Sequence, residues 1–136
     1  MTQFHPTVLK GTSFARKPLL SEALRGEGAF IVDENNKRFL FDYHPSGELA
    51  PRDIVSRAIF DYNKKTGLGI FLSFKNFEKK AFKQRFPNIY ENIKDLGYEL
   101  PFENVPISPA FHYCMGGIEV SLNGLVKNFK NLYAIG

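Results

Sequence analysis

The chain has 136 residues, of which 43% are apolar, so its size and composition suit one ordinary domain with its own core. The net charge is +4 and the pI about 9.2, but the basic residues are spread among 14 acidic ones, which does not favour a nucleic-acid-binding surface. No apolar run approaches the roughly 18 residues of a membrane helix, and the N-terminal TQFHPT lacks a secretion signal. A single cysteine, Cys114, fits a reducing compartment. These features predict a cytoplasmic protein that binds neither nucleic acid nor membrane.

The first half of the chain predicts a short helix, a hairpin and a long helix. Residues 18–25 carry helix formers and are followed by two glycines that stop them. The run 28–41, GAFIVDENNKRFLF, predicts a β-hairpin, because two apolar segments flank a turn-forming Glu-Asn-Asn-Lys. From Pro51 to about Lys65, apolar residues recur at helical spacing, and Gly67 is a natural C-terminal stop.

The second half predicts a buried strand, two short helices and further strands. GIFLSF at 69–74 is typical of a buried strand, and two helices follow, separated at Pro87. The runs 105–124 and 131–136 predict strands interrupted by prolines and a glycine pair. The fold class predicted is therefore α+β, with a small mixed sheet and short helices.

Few residues stand out as chemical groups from spacing alone. His5, His44 and His112 lack the spacing of a helical metal pair, so no metal site is predicted. His112 and Cys114 alternate onto one strand face, which leaves open either a thiolate pair or a small buried thiol. Glu22 and Arg25 lie three residues apart, where they can form a surface ion pair.

Arg52 is the residue that the local rules leave unexplained. It follows Pro51, which suits the first turn of a helix, and precedes Asp53, which suits the positive end of the helix dipole. A cation in the first turn opposes that dipole by roughly 0.3 to 1 kcal/mol. Arg52 in this position therefore indicates a role other than helix stability.

Five runs together resemble one flavoprotein family. The runs QFHPT, LLSEALRGEGA, GELAPRDIVSRAI, SPAFHYCMGGI and NLYAIG, which span most of the chain in this order, resemble the family of fumarate reductase, succinate dehydrogenase and L-aspartate oxidase. GELAPRDIVSRAI is most similar to the aspartate oxidase version. The sequence contains neither G-x-G-x-x-G nor a phosphate-binding P-loop.

The resemblance implies a piece of a larger enzyme. Residues 1–130 are expected to form the capping, or substrate-lid, domain, and 131–136 to begin a returning segment of an FAD-binding domain whose N-terminal part is absent. FAD is then the cofactor of the parent, and none is expected on the fragment alone, which we expect to be inactive. Gly136 corresponds to the family's glycine beside the flavin.

The resemblance also implies residue roles. Arg52 matches the family's proton donor or acceptor beside the flavin, and Glu22 and Arg25 match a proton relay. His5 and His112 match histidines that hold the substrate's carboxylates, and Ser21 stands where relatives commonly carry threonine.

The implied reaction oxidises a four-carbon dicarboxylate. In the aspartate oxidase version, L-aspartate becomes iminoaspartate, which passes to quinolinate synthase in NAD biosynthesis, and oxygen or fumarate reoxidises the flavin. Two alternatives stay open at this point. One is a fragment of a fumarate reductase or succinate dehydrogenase flavoprotein, and the other is a stand-alone basic binding module.

Overall fold

A computed structural model describes residues 2–11 and 18–135, and its centre is a four-stranded sheet. The strands follow the spatial order β1-β4-β3-β2, with bounds of Thr2–Leu9 for β1, Phe30–Asp33 for β2, Ile70–Ser73 for β3 and Val105–Cys114 for β4. Each pairing among these strands is antiparallel, so the α+β class is confirmed but the predicted mixed sheet is wrong. Because Asp33 pairs with Ile70, the segment between β2 and β3 leaves and re-enters the sheet at one end, which makes the two strands antiparallel.

The predicted hairpin at 28–41 is also wrong, although its turn forms. Asp33 accepts hydrogen bonds from the backbone N–H groups of Asn35 and Lys37, both at 2.9 Å, and Asn36 has the positive φ of 61° that asparagine tolerates. The second apolar run then continues into a 3-10 turn, Leu40–Asp42. The ring of Phe39, directly before this turn, is fully buried and stacks on the Tyr62 ring with centroids 3.9 Å apart. Burial against a helix thus replaces pairing with β2, which pairs with β3 instead.

The long helix α2, Arg52–Thr66, confirms the prediction from hydrophobic spacing. Gly67 ends it in the left-handed conformation with φ of 72°, and its N–H donates to the Asn63 carbonyl at 2.8 Å. Pro51 is the N-cap residue rather than a member of the first turn. The buried side of α2 lies against β1 and β4 and consists of Val55, Ser56, Ala58 and Ile59. Arg52 consequently stands at the helix start, close to two strands.

The short helix α1, Glu22–Gly26, begins beside β1. The Leu20 N–H donates to the Thr7 carbonyl at 2.9 Å, and the Thr7 hydroxyl donates back to the Leu20 carbonyl at 2.7 Å. Thr7 is fully buried, so this reciprocal pair satisfies polar groups that water does not reach. It fixes the start of α1 next to His5.

The helices α3, Lys79–Arg85, and α4, Pro87–Asp95, confirm the predicted division at Pro87. They cover one end of the core with an aromatic cluster, here defined as Phe74, Phe77, Phe82, Phe86 and Tyr90. None of the helices within the described ranges is long and apolar enough to cross a membrane.

The prolines of β4 do not interrupt it, contrary to the prediction. β4 continues through Pro106 and Pro109 to Cys114. The register of β1 and β4 shifts between His5 and Val8, opposite the stretch of β4 that contains Pro109. An irregular pairing accommodates a residue that has no N–H to donate. After β4, the predicted strands reduce to isolated bridges, Val120 with Val126 and Leu125 with Tyr133.

Candidate active site

Five predicted site side chains meet where the starts of α1 and α2 approach β1 and β4. These side chains, here called the polar cluster, are His5, Glu22, Arg25, Arg52 and His112. They come from four elements and span more than a hundred residues of sequence. Each of the other four acts electrostatically on the His5 imidazole. The fold therefore brings together residues that have no short-range reason to be neighbours.

Arg52 and Glu22 form the central contact of the cluster. The Arg52 Nε donates to Glu22 Oε2 at 2.5 Å, and both side chains are partly exposed. This hydrogen bond is the largest cause of the lowered pKa of Glu22, to which the charges of Arg52 and Arg25 also contribute. Because Glu22 is an anion beside the start of α2, it offsets the repulsion between Arg52 and the helix dipole.

His5 is held as a neutral imidazole. Its ring is buried, and burial, followed by the charges of Arg52 and Arg25, lowers its pKa to about 4. Its Nδ1 accepts a hydrogen bond from the backbone N–H of Thr7 at 3.3 Å. A neutral ring that accepts at Nδ1 carries its proton on Nε2. His5 thus offers one N–H donor in a positively charged surrounding.

His112 contacts His5 edge to face, with ring centroids 5.6 Å apart. Its ring also packs edge to face with Tyr113, at 4.8 Å. Cys114, two residues further on, is an exposed free thiol. The ring contacts of His112 thus join it to the polar cluster.

Ser21 caps α1 at the edge of the polar cluster. Its Oγ accepts from the Ala23 N–H at 3.3 Å, which leaves its own O–H proton to donate elsewhere. Ser21 is exposed. A ligand at the surface of the cluster can therefore reach this hydroxyl.

Arg25 is a buried guanidinium whose donors are only partly used. Only 3% of the surface of Arg25 is exposed, and this burial is the largest cause of its lowered pKa. Its Nη1 donates to the Glu48 carbonyl at 2.6 Å, whereas Nε and Nη2 are buried without a hydrogen-bond partner in the described part of the chain. Buried donors without partners cost free energy, and a functional role is one of the explanations for them.

The predicted surface ion pair between Glu22 and Arg25 is wrong. Glu22 bonds to Arg52, and Arg25 bonds to the carbonyl of Glu48. Glu22 nevertheless feels the positive charge of both arginines. A carboxylate between two guanidiniums is an arrangement through which protons can pass in short steps.

Glu48 is a residue of this site that sequence reasoning missed. It is 4% exposed and lies in a second 3-10 turn, Gly47–Leu49, just before α2. Its carboxylate accepts two hydrogen bonds from Arg38, at 3.1 and 2.7 Å, and one from the Ile31 N–H at 3.1 Å. The sequence signal for Glu48 was its place inside the run GELAPRDIVSRAI, but nothing in the spacing indicates that its carboxylate is buried.

A cavity of about 910 Å³ lies between α2 and the strands β1 and β4. Of the polar cluster, Arg52 alone lines it within the described ranges, and Ile59, Phe60 and Ile107 supply much of its apolar wall. The other four side chains of the polar cluster do not line this cavity in the described ranges. We therefore place the candidate site at the polar cluster and not in this cavity.

Among residues 2–11 and 18–135, no group of three or more His, Cys, Asp or Glu side chains could hold a metal ion, and His44 bonds locally to the Ser46 N–H at 3.1 Å. Gly136, the predicted flavin contact, lies outside the described residues.

Comparison with known proteins gives one consistent family. The family model described as FAD binding domain matches residues 1–136. L-Aspartate oxidases from a Nostoc species and from Yersinia pestis are 45% and 46% identical over 98% of this chain, and the one from Bacillus subtilis is 42% identical over 99%. The chain spans only about a quarter of the length of these relatives, between 24% and 25%.

Solved structures give the same result. A chain of a quinol-fumarate reductase with menaquinol molecules superposes with a TM-score of 0.78 at 34% identity, covering 98% of this chain and 26% of that one. A variant of the E. coli quinol fumarate reductase FrdA gives 0.77 at 33% identity, covering 99% and 26%. A family model that matches the whole chain, together with relatives above 40% identity, shows that this chain belongs to the FAD binding domain family.

Proposed function

We propose that this chain is the substrate-capping part of an FAD-dependent L-aspartate oxidase. The observation that carries the proposal is the polar cluster, in which two arginines flank a carboxylate beside two imidazoles. The identity of 45% to an L-aspartate oxidase over 98% of the chain supports the same activity. The capping domain is residues 1–130, and residues 131–136 begin a segment of the FAD-binding domain.

The exposed apolar surface at the end of β4 and in the segment after it suits a covered face. Phe111 and Tyr113 flank His112 with 60% and 44% of their surfaces exposed, and Ile118 and Ile135 are 64% and 96% exposed. Apolar surface of this extent marks a contact with another body, and exposed aromatic rings suit a flat ring system such as a flavin. Residues 111–135 therefore fit the flavin-facing side of a cap. The flavin contact that the resemblance assigns to Gly136 lies outside the described residues and stays a prediction.

The dicarboxylate substrate is bound by donors from three elements. The Nε2 proton of neutral His5 and the imidazole of His112 donate to one carboxylate, and the Ser21 hydroxyl donates beside them. The positive charges of Arg25 and Arg52 attract the substrate's two negative charges to this corner. Closing the cap on the other domain would exclude water and strengthen each of these contacts.

Arg52 is the group that exchanges a proton with the substrate. Glu22 takes or supplies that proton through the 2.5 Å contact with Arg52 Nε, and Arg25 continues the path from Glu22. The Nε and Nη2 atoms of Arg25, which have no hydrogen-bond partner among the described residues, leave donors for this step. FAD, when bound, accepts the hydride that the substrate loses.

The parent enzyme would act in NAD biosynthesis. Its product, iminoaspartate, is consumed by quinolinate synthase as the partner enzyme of the pathway, and oxygen or fumarate reoxidises the flavin. The rival assignment is a fumarate reductase or succinate dehydrogenase flavoprotein, which the TM-score of 0.78 to a quinol-fumarate reductase favours.

A substrate comparison in the full-length, FAD-loaded enzyme that contains this chain tests the assignment. Iminoaspartate formation from L-aspartate and dye reduction by succinate are measured in one preparation. We expect aspartate to be oxidised at least about a hundredfold faster, because a site that pairs the substrate's amino group rejects an analogue without it. Faster oxidation of succinate would establish the rival. The 136-residue chain alone, assayed in parallel, is expected to show neither flavin absorbance nor turnover.

A further inference from the structure

We infer that Glu48 is a positioning residue of the reaction, which sets Arg25 and Arg52 at a fixed separation and keeps the buried Arg25 charged. The inference rests on the proposed function, because it concerns the same proton path. Glu48 does not touch the substrate-binding groups. It acts through the two arginines.

The backbone of Glu48 controls both arginines. Its carbonyl accepts from Arg25 Nη1 at 2.6 Å, which is the one hydrogen bond of that guanidinium in the described residues. Only three residues separate Glu48 from Arg52, and they complete the 3-10 turn and the N-cap of α2. A displacement of the Glu48 backbone therefore changes the distance between Arg25 and Arg52.

The side chain of Glu48 fixes that backbone. β2 is an edge strand of the sheet, and the Ile31 N–H donates to Glu48 Oε1 at 3.1 Å. Arg38 closes the other side with two hydrogen bonds, one to each carboxylate oxygen. A bidentate arginine and a backbone donor together define one orientation of the carboxylate.

Glu48 also supplies negative charge to a buried cation. The guanidinium of Arg25 is buried, and its Nε and Nη2 atoms have no hydrogen-bond partner in the described part of the chain. The carboxylates of Glu22 and Glu48 are the two charges that favour its protonated form, against burial and Arg52. Glu22 exchanges protons on the proposed path, so Glu48 is the constant counter-charge.

The test compares Glu48→Gln with Glu34→Gln in the full-length, FAD-loaded enzyme. Glu34 is the matched control, because its Oε1 also accepts a backbone N–H, from Gly69 at 2.6 Å, but at an exposed site that contacts neither arginine. For Glu48→Gln we expect kcat to fall about tenfold or more, since misplacement of reacting groups by about 1 Å costs up to about a hundredfold. KM for the dicarboxylate should change less than about twofold, because the donors to the substrate are intact.

The pH profile separates positioning from mere stability. Loss of the Glu48 charge removes a cause that favours protonated Arg25, so the alkaline limb of the kcat profile moves to lower pH in Glu48→Gln. Arg38 is half-exposed, and Arg38→Gln keeps the charge of Glu48 but removes the ion pair that orients its carboxylate. This variant should lower kcat without that shift. The Glu34→Gln profile should coincide with that of the unmodified enzyme.

Flavin absorbance and the thermal midpoint report folding without turnover. The inference is overturned if the loss of kcat in Glu48→Gln and Arg38→Gln equals the loss of flavin-loaded protein, with the pH profile unchanged. If Glu48→Gln does not fold, Arg38→Gln decides the matter by the same criterion. All ratios use whichever dicarboxylate the unmodified enzyme oxidises, so failure of the aspartate assignment does not affect them.

Discussion

The polar cluster and the aromatic cluster are two ends of one core, built on opposite principles. In the aromatic cluster, Phe82 is fully buried and its ring contacts those of Phe74, Phe77, Phe86 and Tyr90, with centroids between 4.9 and 6.0 Å apart. The packing partners of Phe82 lie within the chain, so these contacts contribute mainly to stability.

The polar cluster, in contrast, contains buried polar groups that lack hydrogen-bond partners in the described residues. Arg25 has buried donors without partners in the described residues, and His5 is buried in a surrounding that lowers its pKa to about 4. Both features oppose folding and are typical of functional sites. The comparison predicts that mutations at one end remove activity and mutations at the other remove stability.

The largest effect is expected from Arg52→Ala. Loss of a proton-transferring group costs roughly 10² to 10⁴ in rate, so kcat of the full-length enzyme should fall about a thousandfold while FAD stays bound. The matched control is Arg57→Ala, on the same helix but in an exposed ion pair with Asp53, which should stay within about twofold. Steady-state rates and flavin absorbance measure both. Near-normal turnover of Arg52→Ala would end the proton-transfer assignment.

The second-largest effect is expected from Phe82→Ala, which should lower stability and leave the groups of the polar cluster unchanged. Phe82→Ala opens a cavity among four aromatic side chains and should lower the free energy of unfolding by about 3 to 5 kcal/mol. Phe60→Ala removes a ring that is 67% exposed, and should change it by less than about 0.5 kcal/mol. Urea titration of the 136-residue chain measures both. Equal losses for the two variants would contradict the internal packing of the aromatic cluster.

The sequence predicted those parts of the fold whose causes are local. Helix α2 follows from apolar spacing and from Gly67, which lies directly at its end. The hairpin failed because Phe39 and Leu40 bury their side chains under other elements, a choice that neighbouring residues do not encode. The turn formed, but tertiary packing overrode the strand preference of the second apolar run.

The site was predictable only through resemblance. Glu22 and Arg52 are 30 residues apart in sequence, and no spacing rule joins them, whereas the quoted runs named both. Glu48 escaped because its burial depends on Arg38 and on the free edge of β2. A buried carboxylate is recognised by its partners, which only the fold supplies.

Acid should weaken the polar cluster through His5. Its pKa is about 4 in the folded chain and 6.5 as a free side chain, so between these values the unfolded state binds more protons and the free energy of unfolding falls as pH is lowered. The contribution is about 3 kcal/mol, fully present above pH 6.5 and lost on approaching pH 4. Urea titrations of the chain at pH 7 and pH 4.5 measure it.

His5→Gln isolates this contribution from the acidic residues that also titrate. The variant should lose less stability between pH 7 and pH 4.5 than the unmodified chain, whereas His44→Gln, in an exposed turn, should leave the difference unchanged. An identical loss in all three proteins would mean that His5 is not buried as a neutral ring.

The smallest effect concerns the contact that joins the polar cluster to the sheet. Thr7→Val removes the hydroxyl that donates to the Leu20 carbonyl at 2.7 Å in a fully buried position. Losing that bond should cost about 1 to 2 kcal/mol of unfolding free energy. Thr66→Val is the control, because the Thr66 hydroxyl makes a bond of similar length, 2.8 Å to the Tyr62 carbonyl, at an exposed helix end where water can replace it. The urea midpoint should therefore be lower for Thr7→Val than for Thr66→Val. Equal midpoints would mean that burial does not distinguish the two bonds, and that the Thr7 hydroxyl is not needed to hold α1 beside His5.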